Sequence, residues 1–480
     1  MTILLGSSLG FRKGLGRRIL CSLVFALVIT ALVVASYVLS GGKQDHLFQP
    51  FPSHSKDYAS NYNQSEDRRQ KHIALSENSV VQLTDRRIPE IEELKQYEPH
   101  LFAVIPQKFL SISQSPCWHQ KYEGKKDPYS GNAYVLYAKR FRAVFEEMRQ
   151  SFWKRLQVRG DSRYRLRCLP YFYIIGQPKC GTTDLYNRMR LHPSVRFSAN
   201  KEPQWWTRKR FGIIRLKEAL QSPFPVDDYL DLFDLAAQEI QALHNEAKDR
   251  EDAVTVPLII GEASASTMWD NNSWMYVYDN TTNTEPPHLT QDFIHAFQPN
   301  AKFIVMLRDP VERLYSDYLY FAIANKSVEE FHDKVNESLQ MFESCLQMST
   351  LRSCAYNTTL NNLLPVRLQV GLYVVFLWDW LSLYNMEQFL VLRLEDYSLR
   401  VLHSMRRVFS FLELEPLREE QEATITQSPA SNSRRPEDCS LGPMYPQTKQ
   451  LLRNFYRPYN QRLSQLLRDD AFLWEAQSGI

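Results

Sequence analysis

The chain has 480 residues, 44% of them hydrophobic and 12% aromatic, enough for one large folded domain or two ordinary ones with a sizeable core. Its 57 Lys and Arg against 54 Asp and Glu leave a formal net charge of +3, which gives no indication of a nucleic-acid partner. Local patterns along the chain therefore have to indicate the function.

The N-terminal region predicts a membrane anchor. Four basic side chains precede an uncharged apolar stretch at 19–40: Arg12, Lys13, Arg17 and Arg18. Such a stretch crosses a bilayer as a helix, and the positive charge before it keeps residues 1–18 in the cytosol. The polar segment 41–98 is then a lumenal stem, and 99–480 is the lumenal body. A cleaved signal peptide is the alternative interpretation of the apolar stretch.

Sequons and cysteines agree with a lumenal body. The Asn-x-Ser/Thr sequons are Asn63, Asn271, Asn280, Asn325, Asn336 and Asn357, and we predict glycosylation there. Six cysteines follow the apolar stretch: Cys117, Cys168, Cys180, Cys345, Cys354 and Cys439. The proximity of Cys345 and Cys354 predicts a disulfide between them, while the other pairings stay open.

Short apolar runs alternate with helix-like stretches through the body. The runs predict buried strands at 171–176, 257–263, 302–309 and 388–396. The helix-like stretches are 184–191, 311–324, 365–384 and 399–412. This alternation predicts an α/β fold with a parallel sheet flanked by helices, whose ligands bind at the carboxyl ends of the strands.

The segment GQPKCGTT, residues 176–183, follows the first predicted strand and opens a helix. Its glycines allow a phosphate close to the backbone, Lys179 adds a positive charge, and the threonines add hydroxyl donors. In the Walker pattern the lysine follows the second glycine, whereas here it precedes Gly181, so an ATP or GTP site with Mg²⁺ matches poorly. We predict a P-loop-like anion site, and an ordinary strand-to-helix turn is the alternative.

A second anion site is predicted in KFIVMLRDPVERLYSDYLYF, residues 302–321. Arg308 at the strand end and Ser316 on the following helix are placed to converge on one phosphate, with the guanidinium supplying a fork of donors. The alternative is an ordinary ion pair of Arg308 with Asp309 or Glu312. Two phosphate sites without an evident metal motif indicate a nucleotide that carries phosphates at both ends.

The two segments QPKCGTT and RDPVERLYSDY resemble the cofactor motifs of the Golgi carbohydrate sulfotransferases, and the likeness extends over about residues 169–480. It implies the fold of that family and 3′-phosphoadenosine 5′-phosphosulfate (PAPS) as the sulfate donor, with no metal required. The residues that it assigns to the 5′-phosphosulfate are Lys179, Cys180, Gly181, Thr182 and Thr183. It assigns Arg308 and Ser316 to the 3′-phosphate.

Longer segments narrow the resemblance within that family. They are NKEPQWWTRKRFG (200–212), NNLLPVRLQVGLY (361–373), SPASNSRRPED (428–438) and RNFYRPYNQRL (453–463). They resemble members that sulfate the 6-hydroxyl of N-acetylgalactosamine 4-sulfate in chondroitin and dermatan sulfate, giving the 4,6-disulfated unit of chondroitin sulfate E. Many relatives carry Lys-Gly-Arg after a C-terminal cysteine, whereas SLGPMYPQTK follows Cys439 here, so the residues that close the nucleotide pocket stay open.

The resemblance also implies catalytic and acceptor-binding roles. Glu202 matches the position of the proposed base, and Lys179 is the predicted donor to the leaving phosphate. Aromatic and basic side chains around Glu202 suit an anionic glycan, and we predict acceptor contacts for Lys201, Trp205, Trp206, Arg208, Lys209 and Arg210. The alternative is a surface charge cluster with tryptophans packed in the core. Arg434 and Arg435 form a second predicted acceptor patch.

The resulting expectation is a type II Golgi membrane protein that sulfates chondroitin or dermatan sulfate chains. Another glycan such as heparan sulfate is the alternative acceptor. Two alternatives of other classes are a lumenal nucleotide phosphotransferase, which the absent Walker lysine disfavours, and a glycan-binding membrane protein without catalysis. The oligomeric state is left open by the sequence.

Overall fold

A computed structural model of the chain describes residues 81–475, except 82, 125–126, 138, 214–221, 250–255, 278–283 and 323–325. The predicted cytosolic tail, the apolar stretch at 19–40 and most of the predicted stem lie outside these residues. Within the described part, no helix is long and apolar enough to cross a membrane.

Two sheets organise the described residues. Their strands are β1 (Cys117–Tyr122), β2 (Gln157–Arg159), β3 (Ser162–Cys168), β4 (Phe172–Gly176), β5 (Val195–Phe197), β6 (Ile259–Glu262), β7 (Lys302–Leu307) and β8 (Phe389–Arg393). The larger sheet is parallel, with strand order β5-β6-β4-β7-β8, and the four predicted strands are all in it. The predicted parallel sheet is thus confirmed, and β5 is an edge strand that the sequence did not indicate.

Helices surround this sheet and connect its strands. They are α1 (Ile91–Tyr97), α2 (Pro99–Val104), α3 (Ala133–Tyr137), α4 (Arg142–Phe152), α5 (Thr182–Met189), α6 (Val226–Asp231), α7 (Asp234–Asp249), α8 (Trp274–Val277), α9 (Thr290–Phe297) and α10 (Pro310–Phe321). The later ones are α11 (Val328–Met348), α12 (Leu351–Tyr356), α13 (Thr358–Leu363), α14 (Tyr373–Leu381), α15 (Leu394–Leu399), α16 (Val401–Phe411), α17 (Glu419–Gln427), α18 (Pro436–Ser440) and α19 (Pro446–Leu467).

The alternation of side chains along β4 shows why both faces of the sheet need helices. Tyr173 and Ile175 belong to one apolar cluster and Phe172 and Ile174 to another, and all four are fully buried. Helices α9 and α14 contribute to the first cluster, while α5 and α16 contribute to the second. A strand buried on both faces reads as a continuous apolar run, which is why the sequence revealed it.

The smaller sheet is antiparallel, with β3 between β1 and β2. Cys117 and Cys168 face each other in its register and form a disulfide. The predicted disulfide between Cys345 and Cys354 is confirmed. The first disulfide, which joins residues 51 positions apart, depends on strand pairing that the sequence did not indicate.

The folded body begins earlier than the predicted boundary at residue 99. Arg86 forms an ion pair with Asp292 in which both side chains are almost fully buried. Leu94 on α1 is also buried against the core. The end of the predicted stem is therefore part of the body, because Arg86 and Leu94 are both buried in it.

The predicted glycosylation sites that the structure describes differ in how far the asparagine is buried. Asn63, Asn280 and Asn325 lie outside the described residues. Asn336 and Asn357 are half-buried on or beside helices α11 and α13. Asn271 is 8% exposed, and its Oδ1 accepts a 3.0 Å hydrogen bond from the Thr290 amide, so its burial contradicts the prediction of a glycan there.

Candidate active site

The loop between β4 and α5 has the backbone geometry of an anion cradle. Lys179 and Gly181 both have left-handed φ angles, of 68° and 86°. The left-handed φ of Gly181 disfavours any residue with a side chain, and a Cβ there would also lie 2.6 Å from Leu394 Cδ1, so both features favour glycine. Gly181 is also the N-cap of α5, and no side-chain hydrogen bond caps this helix in the described structure. The amide groups that begin α5 thus remain available to an anion.

The second predicted motif meets this loop. Strand β7 lies beside β4, and Arg308 follows it, with a long 3.5 Å contact from its Nη1 to the carbonyl oxygen of Lys179. Ser316 is half-buried on α10, which begins two residues after Arg308. The structure therefore brings the two predicted anion sites to one edge of the sheet, at the carboxyl ends of neighbouring parallel strands.

Lys179 lies in a cationic environment. Its partial burial lowers the pKa of its ammonium group, and the nearby guanidinium groups of Arg308, Arg435 and Arg367 lower it further, while the Asp317 carboxylate opposes them. Positive charge concentrated in this way is costly without a counter-ion. A bound polyanion would relieve that cost, which makes the cluster suited to a nucleotide with several phosphates.

A buried carboxylate organises the arginines of this cluster. Burial alone would raise the pKa of Asp317, but the Arg367 and Arg313 guanidinium groups outweigh it and hold the pKa below its ordinary value. Arg367 Nε donates to Asp317 Oδ2 at 2.8 Å, and Arg313, which is fully buried, donates through Nη2 to the Arg367 carbonyl at 3.0 Å. Asp317 thus fixes the orientation of Arg367.

Glu202 lies on a turn that the surrounding structure holds in an uncommon conformation. Its φ is 58°, and that of Gln204 is 53°. The Glu202 amide donates to the Ala263 carbonyl at 3.0 Å, its carbonyl accepts from Arg140 Nη2 at 2.8 Å, and the Gln204 amide donates to Ser264 Oγ at 3.0 Å. Non-glycine residues persist with positive φ only where their neighbours enforce it, and such positions cluster at active sites.

The Glu202 side chain is accessible. It is 36% exposed and forms an ion pair with Lys201. The turn is anchored to the residues that follow β6, and β6 lies directly beside β4 in the sheet. Strand β4 therefore lies between β6, whose end anchors the Glu202 turn, and β7, which leads to Arg308.

Glu262, at the end of β6, is a site residue that the sequence did not single out. It is 1% exposed, and Ser264 Oγ donates to its Oε1 at 2.6 Å. Its Oε2 is buried with no hydrogen-bond partner among the described residues. The pKa of this carboxyl is raised to about 7, chiefly by burial and also by the Glu202 carboxylate, while the hydrogen bond from Ser264 opposes the rise. An acidic residue within an otherwise apolar predicted strand is the signal that could have drawn attention to it.

Trp205 and Trp206 do not form an acceptor surface. They are 1% and 2% exposed, and each indole N–H has an internal partner. Trp205 donates to the Phe224 carbonyl and Trp206 to the Tyr229 hydroxyl, both at 3.1 Å. Their burial contradicts the predicted contact with sugar rings. Instead, the two indoles anchor the segment after the Glu202 turn in the core.

The basic residues that follow the tryptophans are also largely engaged within the protein. Arg208 forms a 2.7 Å ion pair with the buried Asp270 carboxylate. Arg210 is 4% exposed, and Lys209 lies over the ring of Phe224, 5.6 Å from its centroid. Arg210 is therefore not a surface residue, and the predicted patch is smaller than the sequence implied.

Arg434 and Arg435 lie beside α10 rather than with the Glu202 turn. The Arg434 guanidinium is 5.4 Å from the ring centroid of Tyr315. Arg434 and Tyr315 line a cavity of about 360 Å³ with Gly442 and Pro443, from the segment that follows Cys439. Arg435 forms a 3.0 Å ion pair with Asp438. Both arginines therefore lie beside the helix that carries Ser316, on the predicted nucleotide side of the site.

The side chain of Cys180 is fully buried. The thiol is buried 3.9 Å from the Tyr373 hydroxyl, and burial raises its pKa to about 12. Only the backbone of Cys180 is therefore placed to contact an anion.

Thr182 is buried and Thr183 half-buried at the start of α5. In the described part of the chain, no cluster of His, Cys, Asp and Glu forms a metal site.

Comparison with known proteins gives consistent matches. The family model "Sulfotransferase domain" matches residues 169–441. The chain is 55% identical to "Carbohydrate sulfotransferase 15" of Homo sapiens over 98% of this chain and 88% of that protein, with the same figures for the Mus musculus relative. Among solved structures, a sulfotransferase from Alicyclobacillus acidocaldarius is 21% identical, covers 63% of this chain and 98% of its own, and has a TM-score of 0.36.

Proposed function

Because the chain belongs to the sulfotransferase family and is a sulfotransferase enzyme, we propose that it transfers sulfate from PAPS to the 6-hydroxyl of N-acetylgalactosamine 4-sulfate in chondroitin or dermatan sulfate, giving the 4,6-disulfated unit. The observation that carries the proposal is the 55% identity, over 98% of the chain, to proteins named as carbohydrate sulfotransferases. The choice of acceptor sugar and position rests on the resemblance of the segments at 200–212, 361–373, 428–438 and 453–463.

The residues present fit the donor nucleotide. The backbone of 179–183 and the Lys179 ammonium form a cradle for one phosphate group, in which Gly181 has a left-handed φ of 86°. Arg308 and Ser316 are assigned to the 3′-phosphate, beside the same loop. We assign Arg434 and Arg435, which precede Cys439, to the closure of the nucleotide side, a task for which many relatives carry Lys-Gly-Arg after the cysteine. When bound, PAPS supplies the sulfuryl group together with a phosphate leaving group.

The chain's own groups then have distinct tasks. The Glu202 carboxylate accepts the proton of the attacking sugar hydroxyl, as the new bond from that oxygen to sulfur forms and the bond from sulfur to the phosphate oxygen breaks. Lys179 Nζ donates to the bridging oxygen that departs with the phosphate. Lys201 orients Glu202 through their ion pair, and Ser264 holds the turn through the Gln204 amide.

We propose that the reaction takes place in the Golgi lumen, with the chain anchored as a type II membrane protein. The apolar stretch at 19–40 after basic residues supports the anchor. Two disulfides, Cys117–Cys168 and Cys345–Cys354, are compatible with an oxidising compartment.

Labelled PAPS and three acceptors test the proposal. Full-length protein in detergent would be incubated without added metal with 4-sulfated chondroitin, desulfated chondroitin or heparan sulfate. We expect label at the 6-position of 4-sulfated chondroitin, its loss in Glu202→Gln, and its retention in Glu419→Gln, a substitution at an exposed position on helix α17. Label entering heparan sulfate alone would reject the proposed acceptor. Binding of PAPS and glycan without transfer would instead indicate a glycan-binding protein.

A further inference from the structure

The C-terminal end of α10 exposes two adjacent aromatic side chains. Tyr320 is 57% exposed and Phe321 is 55% exposed. Their rings meet edge to face, with centroids 4.8 Å apart and planes at 82°. Together they form a contiguous apolar surface with two differently inclined faces. Neighbouring exposed aromatic residues of this kind commonly mark a binding surface.

This aromatic pair adjoins the predicted reaction centre. The Lys179 ammonium lies 3.7 Å from the centroid of the Tyr320 ring, so the surface begins at the side chain assigned to the leaving phosphate. Ser316, assigned to the nucleotide, lies one turn earlier on the same helix. A molecule that covers Tyr320 and Phe321 would therefore be within reach of the sulfuryl group transferred at Lys179.

A fixed guanidinium borders the same surface. Arg367 lies 4.5 Å from the centroid of Phe321, and its side chain is 23% exposed. Its ion pair with the buried Asp317 holds it in place, and Trp269 lies behind it at 5.7 Å. A guanidinium oriented in advance has less conformational entropy to lose when it binds an anion.

We propose that Tyr320, Phe321 and Arg367 form the acceptor subsite, with a pyranose ring of the glycan on the aromatic faces and a sulfate or carboxylate of the same chain on Arg367. The subsite rests on the proposed function, because it presumes an anionic glycan acceptor. Aromatic faces suit the apolar C–H faces of sugar rings, and the planar guanidinium suits sulfate and carboxylate oxygens. The subsite replaces the role that the sequence predicted for the buried Trp205 and Trp206.

The cationic border and the contact with Lys179 favour a glycan over a second copy of the chain as the occupant. Self-association would bury the exposed part of Arg367 without supplying an anion to it, and a desolvated charge of this kind is costly. An anionic polysaccharide supplies both an apolar face and a counter-ion. The subsite therefore has one occupant that satisfies its aromatic and charged parts together.

Binding measurements separate the subsite from the reaction. Full-length protein would be saturated with 3′-phosphoadenosine 5′-phosphate, which draws Lys179 to the phosphate, and titrated with a chondroitin 4-sulfate hexasaccharide in a calorimeter. The variants are Phe321→Leu, which removes the ring but keeps an apolar side chain, and Arg367→Lys, which keeps the charge but removes the fork. Trp153→Leu, at an aromatic residue 41% exposed beside β1, is the control.

We expect Phe321→Leu and Arg367→Lys each to raise the Kd for the hexasaccharide, and the KM for the acceptor, about tenfold. In Phe321→Leu the Kd for the nucleotide should stay within about twofold of wild type, and Trp153→Leu should change neither constant. Tyr320→Phe should bind the hexasaccharide like wild type, because the ring face is retained.

The outcomes distinguish the subsite from the proposed function. Weaker glycan binding in the variants, without sulfate transfer by wild type, would support the subsite and reject the function. Transfer by wild type and variants with equal KM would overturn the subsite alone. No hexasaccharide binding by wild type would overturn both. A halved mass in light scattering for Phe321→Leu, with unchanged glycan affinity, would identify a self-association surface and overturn the subsite.

Discussion

Replacing Glu262 by glutamine should remove a pH-dependent destabilisation of the fold. Burial raises the pKa of the Glu262 carboxyl from an ordinary value of 4.5 to about 7. The folded state then binds this proton more tightly than the unfolded state does. The contribution of this carboxyl to the free energy of unfolding is therefore fully present below its pKa in the unfolded state. That contribution is lost as the pH rises through the pKa in the folded state.

The size of the effect follows from the two pKa values. The difference between 4.5 and about 7 corresponds to a penalty of about 3 kcal/mol once the buried carboxyl is fully ionised. Of this, about 2.5 kcal/mol develops between about pH 5 and pH 8. Glutamine cannot ionise and keeps an oxygen that accepts the hydrogen bond of Ser264, so the variant avoids the penalty.

Urea unfolding of wild type and Glu262→Gln, followed by tryptophan fluorescence at several pH values, measures this difference. The free energy of unfolding of the variant relative to wild type should rise by about 2.5 kcal/mol from about pH 5 to pH 8. Leu101→Ala, which removes a buried apolar side chain and no titratable group, should show a difference that does not depend on pH. A Glu262→Gln difference constant within about 0.5 kcal/mol would refute the argument from burial.

Three further predictions concern the loop and the smaller sheet. Lys179→Ala should lower kcat about 10²- to 10³-fold in single-turnover assays, because the departing oxygen loses its hydrogen-bond donor. Equal rates in variant and wild type would exclude Lys179 as the donor to the leaving phosphate. Gly181→Ala should weaken nucleotide binding in calorimetry and lower the free energy of unfolding in urea by about 1–2 kcal/mol, because the φ of 86° and the contact with Leu394 both oppose a Cβ. An unchanged nucleotide affinity would count against the anion cradle. Replacing Cys117 and Cys168 by serine should lower the free energy of unfolding in urea by about 4 kcal/mol. Loss of the Cys345–Cys354 disulfide, which closes a far shorter loop, should cost less, and equal losses would refute the loop-length argument.

The parallel sheet and the two anion motifs could be predicted because their signals are local. Strand β4 is buried on both faces, so its apolar run is visible in the sequence without any knowledge of its neighbours. The loop that follows is recognised from the order of strand, glycines, lysine and helix. The proximity of Arg308 to this loop then follows from parallel strands ending at one edge of a sheet.

The acceptor side could not be predicted in the same way, because burial depends on residues far apart in the chain. Trp205 and Trp206 follow Glu202 directly and have the chemistry of a sugar-binding surface, yet Phe224 and Tyr229 accept their N–H groups in the core. Phe321 reads as an ordinary apolar residue at a helix end, yet the structure leaves it exposed.

The sequence by itself determined the fold class, the position of the anion loop and the family, since each depends on residue order over short stretches. Tertiary structure alone decided which aromatic and charged side chains face the site. It buried Glu262 behind the Glu202 turn, placed Arg434 and Arg435 beside α10, and exposed Tyr320 beside Lys179. The physical reason is that exposure, orientation and pKa depend on the neighbours that folding supplies, and those neighbours come from distant parts of the chain.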